Sequence, residues 1–174
     1  MTSLADVFTD QESTNWLKAW LAVDITKAGL ERFVYEEIQT VHSQIFNYIR
    51  SKLNLPATAS CPTPGKCKTR SNKQPRHCPI KLCDEVHDEI IQYHRYGKPS
   101  WKNTSADQWA SNPWQIAKCF MPPDGYTDIN TVQDTDFNGV ISVLLNCIHF
   151  DNKVSFSIQP SGSKVLCFLT KVIK

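Results

Sequence analysis

Four of the seven cysteines lie in one short segment, which constrains the fold more than any other feature of the sequence. They follow the pattern C-x5-C-x10-C-x4-C at Cys61, Cys67, Cys78 and Cys83. The intervening prolines and glycine exclude regular secondary structure, and a long loop with few aliphatic side chains cannot offset its ordering entropy by burial. Four thiolates suit tetrahedral zinc with no open position for water. The sequence therefore predicts a structural Zn²⁺ site that holds this loop together.

Two other interpretations of the cysteine segment remain open at this point. The spacings are wider than the C-x2-C of many zinc sites, and His77, His87 or His94 could replace one cysteine as a ligand. Alternatively, the four side chains are free thiols in a loop without metal. The remaining three cysteines have apolar neighbours, which is typical of core residues rather than ligands or nucleophiles.

The same segment is strongly basic. It carries six cations and no carboxylate, namely Lys66, Lys68, Arg70, Lys73, Arg76 and Lys81. Four thiolates and one zinc ion together carry a charge of −2, so a charge of +4 would remain on the loop. Because the whole chain has a net charge of only +2, any attraction for phosphate has to come from a local patch such as this one. The pattern predicts contact with RNA or another polyanion; the alternative is a lysine-rich loop that is simply solvated.

The rest of the sequence predicts a mainly α protein. From Leu30 to Leu53 apolar residues keep helical spacing for more than twenty residues, and Pro56 ends the pattern. An earlier helix is expected to start at Ser13 or Thr14, with a break or bend between Thr26 and Gly29.

Three further helices are expected after the cysteine loop. The first runs from about Leu82 to Tyr96, and the second is a short helix capped by Asn112. The last follows Gln133 and carries a broad apolar stripe. Beyond it, apolar residues alternate with serines from Val154 onward, which indicates a short strand.

These elements suggest three regions. We expect a flexible N-terminus over residues 1–12, a helical domain over 13–150 with its metal loop at 56–83, and a divergent or truncated tail over 151–174. That tail is expected to be irregular or to form a short β segment.

Two observations bear on location. The N-terminus is acidic and polar, unlike a signal peptide, and the longest apolar run, Val140–Phe150, is too short to span a bilayer. Without a secretory signal, cysteines are expected to be reduced or metal-bound. The prediction is a cytoplasmic or nuclear protein that is neither secreted nor associated with membranes.

No complete catalytic machinery is visible in the sequence. The phosphate-binding GxxxxGK, the metalloprotease HExxH and the hydrolase GxSxG patterns are absent. Arg70 and His77 have the R-x6-H spacing found in some ribonucleases, but Pro75 between them prevents the helix that would bring the two side chains together. The sequence therefore predicts that the protein is not an enzyme.

Several stretches in a fixed order carry a resemblance to a known family. They are Asn15–Ala19, the four-cysteine loop, Glu89–Ile91 with His94, Trp101 with Asn103, Trp109, Trp114–Pro122, and Leu144–Phe150. This order resembles the uncharacterised vertebrate X-chromosome open-reading-frame family. More distantly, it is similar to the HEPN-like domain of the DAZ-interacting zinc-finger ubiquitin ligase.

The resemblance implies a HEPN-like helical domain, a class associated with RNA binding and, in some members, RNA cleavage. Cleaving members use an R-x4-6-H motif on a late helix, which in the X-chromosome family follows a stretch resembling Val172-Ile173-Lys174, where this sequence ends. We therefore expect a non-catalytic, zinc-stabilised helical module that binds RNA or another polyanion. One alternative is a protein-interaction or homodimerisation scaffold, and a weaker one is an incomplete HEPN ribonuclease that lacks its motif.

Overall fold

A computed structural model describes residues 11–63, 67 and 77–154, and this part of the chain is mainly α-helical, as predicted. The α-helices within these described ranges are α1 (Gln11–Lys52), α2 (Leu82–Tyr93), α3 (Pro113–Ala117) and α4 (Phe137–Asn146). Short 3-10 turns lie at Trp101–Asn103, Ala106–Gln108, Lys118–Phe120 and Ile148–Asn152. Strand-like pairing within the described residues is limited to one antiparallel bridge between His94 and Cys147. None of the described helices is long and apolar enough to cross a membrane.

The predicted break between Thr26 and Gly29 is wrong, because α1 continues through it as one helix of 42 residues. The Thr26 hydroxyl donates to the carbonyl of Ala22, 2.6 Å away, and so hydrogen-bonds within the helix instead of interrupting it. Lys27 and Glu31 form an ion pair one turn apart, at 2.5 Å. A single glycine in a helix interior costs only about 1 kcal/mol relative to alanine, which is too little to end a helix that these contacts support.

The C-terminal part of α1 forms the centre of the core. Its buried face packs against α2, α3 and α4. The face consists of Val34, Ile38, Val41, Ile45, Phe46 and Ile49, each 0–1% exposed. By contrast, no residue from 11 to 29 is buried. The helix thus has a packed half and a half that projects beyond the body.

Helix α2 ends at Tyr93, three residues earlier than predicted, because the chain turns there to pair with the end of α4. The backbone N–H of Arg95 donates to the carbonyl of Asn146 at 2.7 Å, and its guanidinium donates to the carbonyl of Leu145 at 2.8 Å. The same guanidinium forms an ion pair with Asp151. These contacts hold the C-terminal ends of α2 and α4 together.

Helix α3 begins as the sequence predicts. The Asn112 side chain accepts a hydrogen bond from the backbone N–H of Trp114 at 2.9 Å, and Pro113 occupies the first turn. Residues 114 to 121 are all buried. They include Lys118, which is 1% exposed and donates to the carbonyl of Thr127 at 2.7 Å. This segment is therefore core, with one buried cation that fastens the following loop.

Helix α4 starts at Phe137, capped by Asp136, whose carboxylate accepts from the backbone N–H of Gly139 at 2.7 Å and from the Tyr126 hydroxyl at 2.8 Å. The cap packs closely around Gly139. A Cβ at this position would lie 2.5 Å from Cγ2 of Thr135 and 2.7 Å from Cε1 of Tyr126. Glycine is therefore required at residue 139 by lack of space.

Replacing Gly139 with alanine is expected to lower the free energy of unfolding by about 2 kcal/mol, because the added methyl overpacks the α4 cap. Gly29→Ala is the matched control, since a Cβ there meets no atom within 4 Å. It should raise the free energy of unfolding by up to about 1 kcal/mol through helix propensity. Chemical denaturation of both variants tests the pair, and a neutral Gly139→Ala would contradict the packing described for the cap.

The C-terminal expectations fall largely outside the described residues. Val154 packs against the core, whereas the predicted strand beyond it and the rest of the tail are not described. The division into residues 1–12, 13–150 and 151–174 stays a prediction.

Candidate metal centre

The four cysteines of the predicted site are brought together between the end of α1 and the start of α2. Cys61 follows the turn after α1, and Cys83 is the second residue of α2. Between Cys78 and α2 the chain makes a tight turn, in which the N–H of Lys81 donates to the carbonyl of Cys78 at 2.9 Å. Lys81 has a φ of 58°, the left-handed conformation that closes such turns. The turn places Cys78 and Cys83 on the same side.

The four sulfur atoms form a compact group. All four lie within 4.8 Å of one another, and no histidine, aspartate or glutamate of the described residues joins the group. Cys61 Sγ is 3.4 Å from Cys67 Sγ and 3.9 Å from Cys78 Sγ. Four sulfurs around one tetrahedral zinc, each at about 2.3 Å, would lie about 3.8 Å apart. The group therefore has the dimensions of a site that can hold a metal ion.

The four cysteines are buried to different extents. Cys78 is 2% exposed, Cys83 7% and Cys67 9%, whereas Cys61 is only half-buried. Leu82 and Val86 of α2 and Phe46 of α1 lie beside the site in the core. An ion bound here would be shielded from water on the core side, which suits a closed structural site rather than an open catalytic one.

The thiols differ in acidity. Burial raises the pKa of Cys67 and of Cys83 above the ordinary value, and neighbouring thiols add to the rise. Burial acts in the same direction on Cys61, but hydrogen bonds from Thr63 and Cys67 outweigh it and lower the pKa of Cys61. Since metal binding requires thiolates, a divalent cation would have to displace protons from Cys67 and Cys83.

The site is supported by one acidic residue, Asp84, whose role the sequence did not indicate. Asp84 Oδ2 accepts from the backbone N–H of Cys78 at 3.2 Å and lies 3.6 Å from His77 Nδ1. Asp84 is in the first turn of α2, where a carboxylate also interacts favourably with the helix dipole. Its position fixes the Cys78 turn relative to the helix that carries Cys83.

The three histidines considered as substitute ligands lie elsewhere. His77 points toward Asp84, and His87 stacks on Trp101 with ring centroids 4.3 Å apart. His94 stacks on Phe120 and accepts from the backbone N–H of Tyr96 at 3.2 Å. The structure thus brings together the four cysteines and not a mixed set.

Of the six cations of the segment, Lys81 is the one in the described part of the chain, and it is exposed. The other five, Lys66, Lys68, Arg70, Lys73 and Arg76, lie outside the described residues. Their role in binding stays a prediction.

Two of the other cysteines are core residues, as predicted. Cys119 and Cys147 are 0% exposed, and burial raises the pKa of each to about 12. Cys167 lies outside the described residues. Near Cys147, the imidazole of His149 lies 2.6 Å from a carboxylate oxygen of Glu37. Glu37 on α1 and His149 after α4 thus form a contact between two distant parts of the chain.

The fold and site define a helical domain whose cysteine-rich loop gathers four thiols capable of holding a metal ion. The chain belongs to a family described as a domain of unknown function, DUF4559, whose profile matches residues 7–161. It is 27% identical over 152 residues to a mouse protein named uncharacterized protein CXorf38 homolog. The match covers 86% of this chain and 46% of the mouse protein, so the chain spans about half of that relative's length. No solved structure matches the chain significantly.

These matches confirm the resemblance to the X-chromosome open-reading-frame family. The more distant relationship to HEPN-like domains, with the functions it implies, stays a prediction.

Proposed function

We propose that this chain is a non-catalytic helical module, stabilised by one Zn²⁺, that binds RNA or another polyanion through its basic cysteine loop. The cluster of four sulfurs within 4.8 Å carries the proposal. It closes the base of a segment that contributes six cations and no carboxylate. A metal at the base would hold those cations together on one loop, which makes several simultaneous phosphate contacts feasible.

The donor set favours zinc. Four thiolates in a tetrahedral arrangement suit zinc or a single-iron centre, and zinc needs no redox partner and leaves no open position. Lys81 is the cation of the loop that lies within the described residues. It is exposed and lies two residues before Cys83, so a positive charge stands close to the cysteine cluster. A metal held by the four cysteines would therefore lie in the same loop as this cation.

The proposal of a non-catalytic role rests on the state of the reactive side chains. Cys119 and Cys147 are buried with raised pKa values, which disfavours the thiolate that a nucleophile requires. The imidazole of His94 is held between Phe120 and the backbone of Tyr96. These groups stabilise the core instead of facing a substrate cavity.

Charge reversal tests polyanion binding. A fluorescein-labelled single-stranded oligouridylate is titrated with wild-type protein and with the variant in which Lys66, Lys68, Arg70 and Lys73 become glutamate. We expect at least about a tenfold loss of affinity at low salt, and a salt dependence shallower by about three in the log–log slope. Metal content is measured on the same samples to show that the cysteine site is intact.

A control variant reverses two exposed cations outside the loop, Lys98 and Lys102, and should leave binding within about twofold of wild type. Equal binding by the wild type and the loop variant would refute the proposal, as would failure of the metal-loaded wild type to bind. The alternative of a protein-interaction or dimerisation scaffold concerns a different surface, the projecting half of α1.

A further inference from the structure

The apolar stripe that α1 buries in the core continues beyond the body of the protein. Counting back from Val34 in steps of three or four residues leads to Leu30, Val23, Trp20 and Trp16, with Lys27 occupying the step between Leu30 and Val23. Trp16 is 68% exposed and Trp20 52%. Trp16, Trp20 and Val23, called here the projecting stripe, therefore extend the core-facing side of α1 without a covering element in the described part of the chain.

An uncovered stripe of this kind is energetically unfavourable. Burying one tryptophan side chain removes about 150–250 Å² from water. Most helical stability in proteins comes from packing of an apolar face, and an isolated helix of about 15 residues is marginal in water. Residues 11–29 gain little such packing, since none is buried. A covering segment would stabilise this half of α1.

The chain leaves the described structure at the base of the projecting stripe. The rings of Phe33 and Phe150 are in edge-to-face contact, with centroids 5.9 Å apart. Lys153 Nζ lies 3.1 Å from a carboxylate oxygen of Glu37, and Val154 packs against the core. Val154, the last described residue, therefore lies close to the turn of α1 where the packed half gives way to the projecting half.

The last 20 residues have the length and composition of a covering segment. Trp16 lies 17 residues from Phe33 along α1, about 25 Å at the helical rise. Twenty residues reach about 30 Å as a helix and about 66 Å when extended. Residues 155–174 contain no aspartate or glutamate, and seven of the nine residues of Val165–Ile173 are apolar. The segment can therefore reach both tryptophans with apolar side chains to bury.

We propose that residues 155–174 dock on the projecting stripe of the same chain, with Val165–Ile173 covering Trp16 and Trp20. The tether favours this occupant over a second copy, because a short linker gives an effective concentration in the millimolar range. Residues 155–174 lie outside the described residues, so the proposal rests on the exposed stripe, the position of Val154 and the sequence that follows. It is independent of the proposed polyanion binding.

Site-specific photo-crosslinking of the 174-residue chain tests the proposal. A benzophenone amino acid replaces Trp20 in one sample, and in the control it replaces Tyr48, which is 51% exposed near the other end of the same helix. At micromolar protein, crosslinks from position 20 are expected within single chains and to residues 155–174, whereas position 48 should give none to that segment. Crosslinks between two copies, or none to the tail, would overturn the proposal.

Hydrogen exchange provides a readout that does not depend on the crosslinker. In the Phe168→Asp variant, amides of residues 12–29 are expected to exchange about tenfold faster than in wild type, with residues 34–50 unchanged. Ser163→Asp is the matched control with the same added charge and should leave exchange as in wild type. Equal exchange in all three proteins would contradict docking of the apolar tail.

Discussion

Replacing Cys78 with serine is expected to abolish stoichiometric metal binding and to lower the free energy of unfolding by at least about 3 kcal/mol. Cys78 is 2% exposed within the sulfur cluster, and the cysteine loop has few other apolar side chains to bury. In a chain of 174 residues this loss corresponds to a fall in Tm of roughly 10 °C. Elemental analysis and thermal unfolding of the purified proteins measure both effects.

Cys147→Ala is the matched control for the loss of a buried cysteine. Cys147 is 0% exposed but lies outside the cluster, so this variant should lose some stability and retain its metal. Adding a chelator to the wild type should reproduce the Cys78→Ser phenotype and have little effect on Cys78→Ser itself. The account would be contradicted if Cys78→Ser kept a full equivalent of metal.

Acidification is expected to destabilise the protein through His94. Burial lowers the pKa of His94 to about 4, from an ordinary value of 6.5. Between these values the unfolded chain binds a proton that the folded chain does not, so stability is lost as the pH falls from about 6.5 to about 4. The full effect of such a shift is on the order of 3 kcal/mol. Above pH 7 His94 is neutral in both the folded and the unfolded chain, so it does not lower the free energy of unfolding.

The His94→Gln variant isolates that contribution. Gln keeps an acceptor for the backbone N–H of Tyr96 but does not titrate, and it loses the stacking on Phe120. The variant should be less stable than wild type at pH 7, and the gap should narrow by on the order of 2 kcal/mol at pH 4.5. Denaturant titrations of both proteins at pH 7 and at pH 4.5 measure this change in the stability difference.

The comparison is made between the two proteins at each pH, because acid also displaces metal from thiolates and protonates other groups. Burial also lowers the pKa of His42. Because His42 is present in both proteins, its contribution to the pH dependence cancels in the comparison. Parallel stability curves for wild type and variant would show that His94 is not the group responsible.

Local patterns in the sequence predicted much of the fold. The 3.6-residue periodicity from Leu30 onward identified the buried face of α1, and Asn112 before Pro113 identified the start of α3. The predicted break between Thr26 and Gly29 failed because propensity alone overestimates the effect of one glycine. The Lys27–Glu31 pair and the helical hydrogen bonds outweigh it.

Tertiary features were beyond such patterns. Trp16 and Trp20 are exposed, because the body of the protein ends before it reaches them, and helical periodicity alone cannot show where the body ends. The pairing of Glu37 with His149 joins residues 112 positions apart, and no local signal announces it. The end of α2 at Tyr93 likewise depends on a tertiary contact, the hydrogen bond from Arg95 to Asn146.

For the candidate site, the identity and spacing of the cysteines predicted the cluster, because four cysteines within one short proline-rich loop are typical of a tetrahedral metal site. The choice between a cysteine and a histidine ligand depended on the fold. His87 and His94 lie on or just after α2 and stack on Trp101 and Phe120, which keeps them in the core. Asp84 was identifiable only once the turn at Cys78 was seen to face it.

The central claim is that the four cysteines hold one zinc ion. X-ray absorption at the zinc edge of the purified chain tests it most directly, because it reports the identity, number and distance of the ligands. The account predicts four sulfur ligands at about 2.3 Å and one zinc per chain. Zinc bound through nitrogen or oxygen, or protein that folds fully without metal, would contradict it.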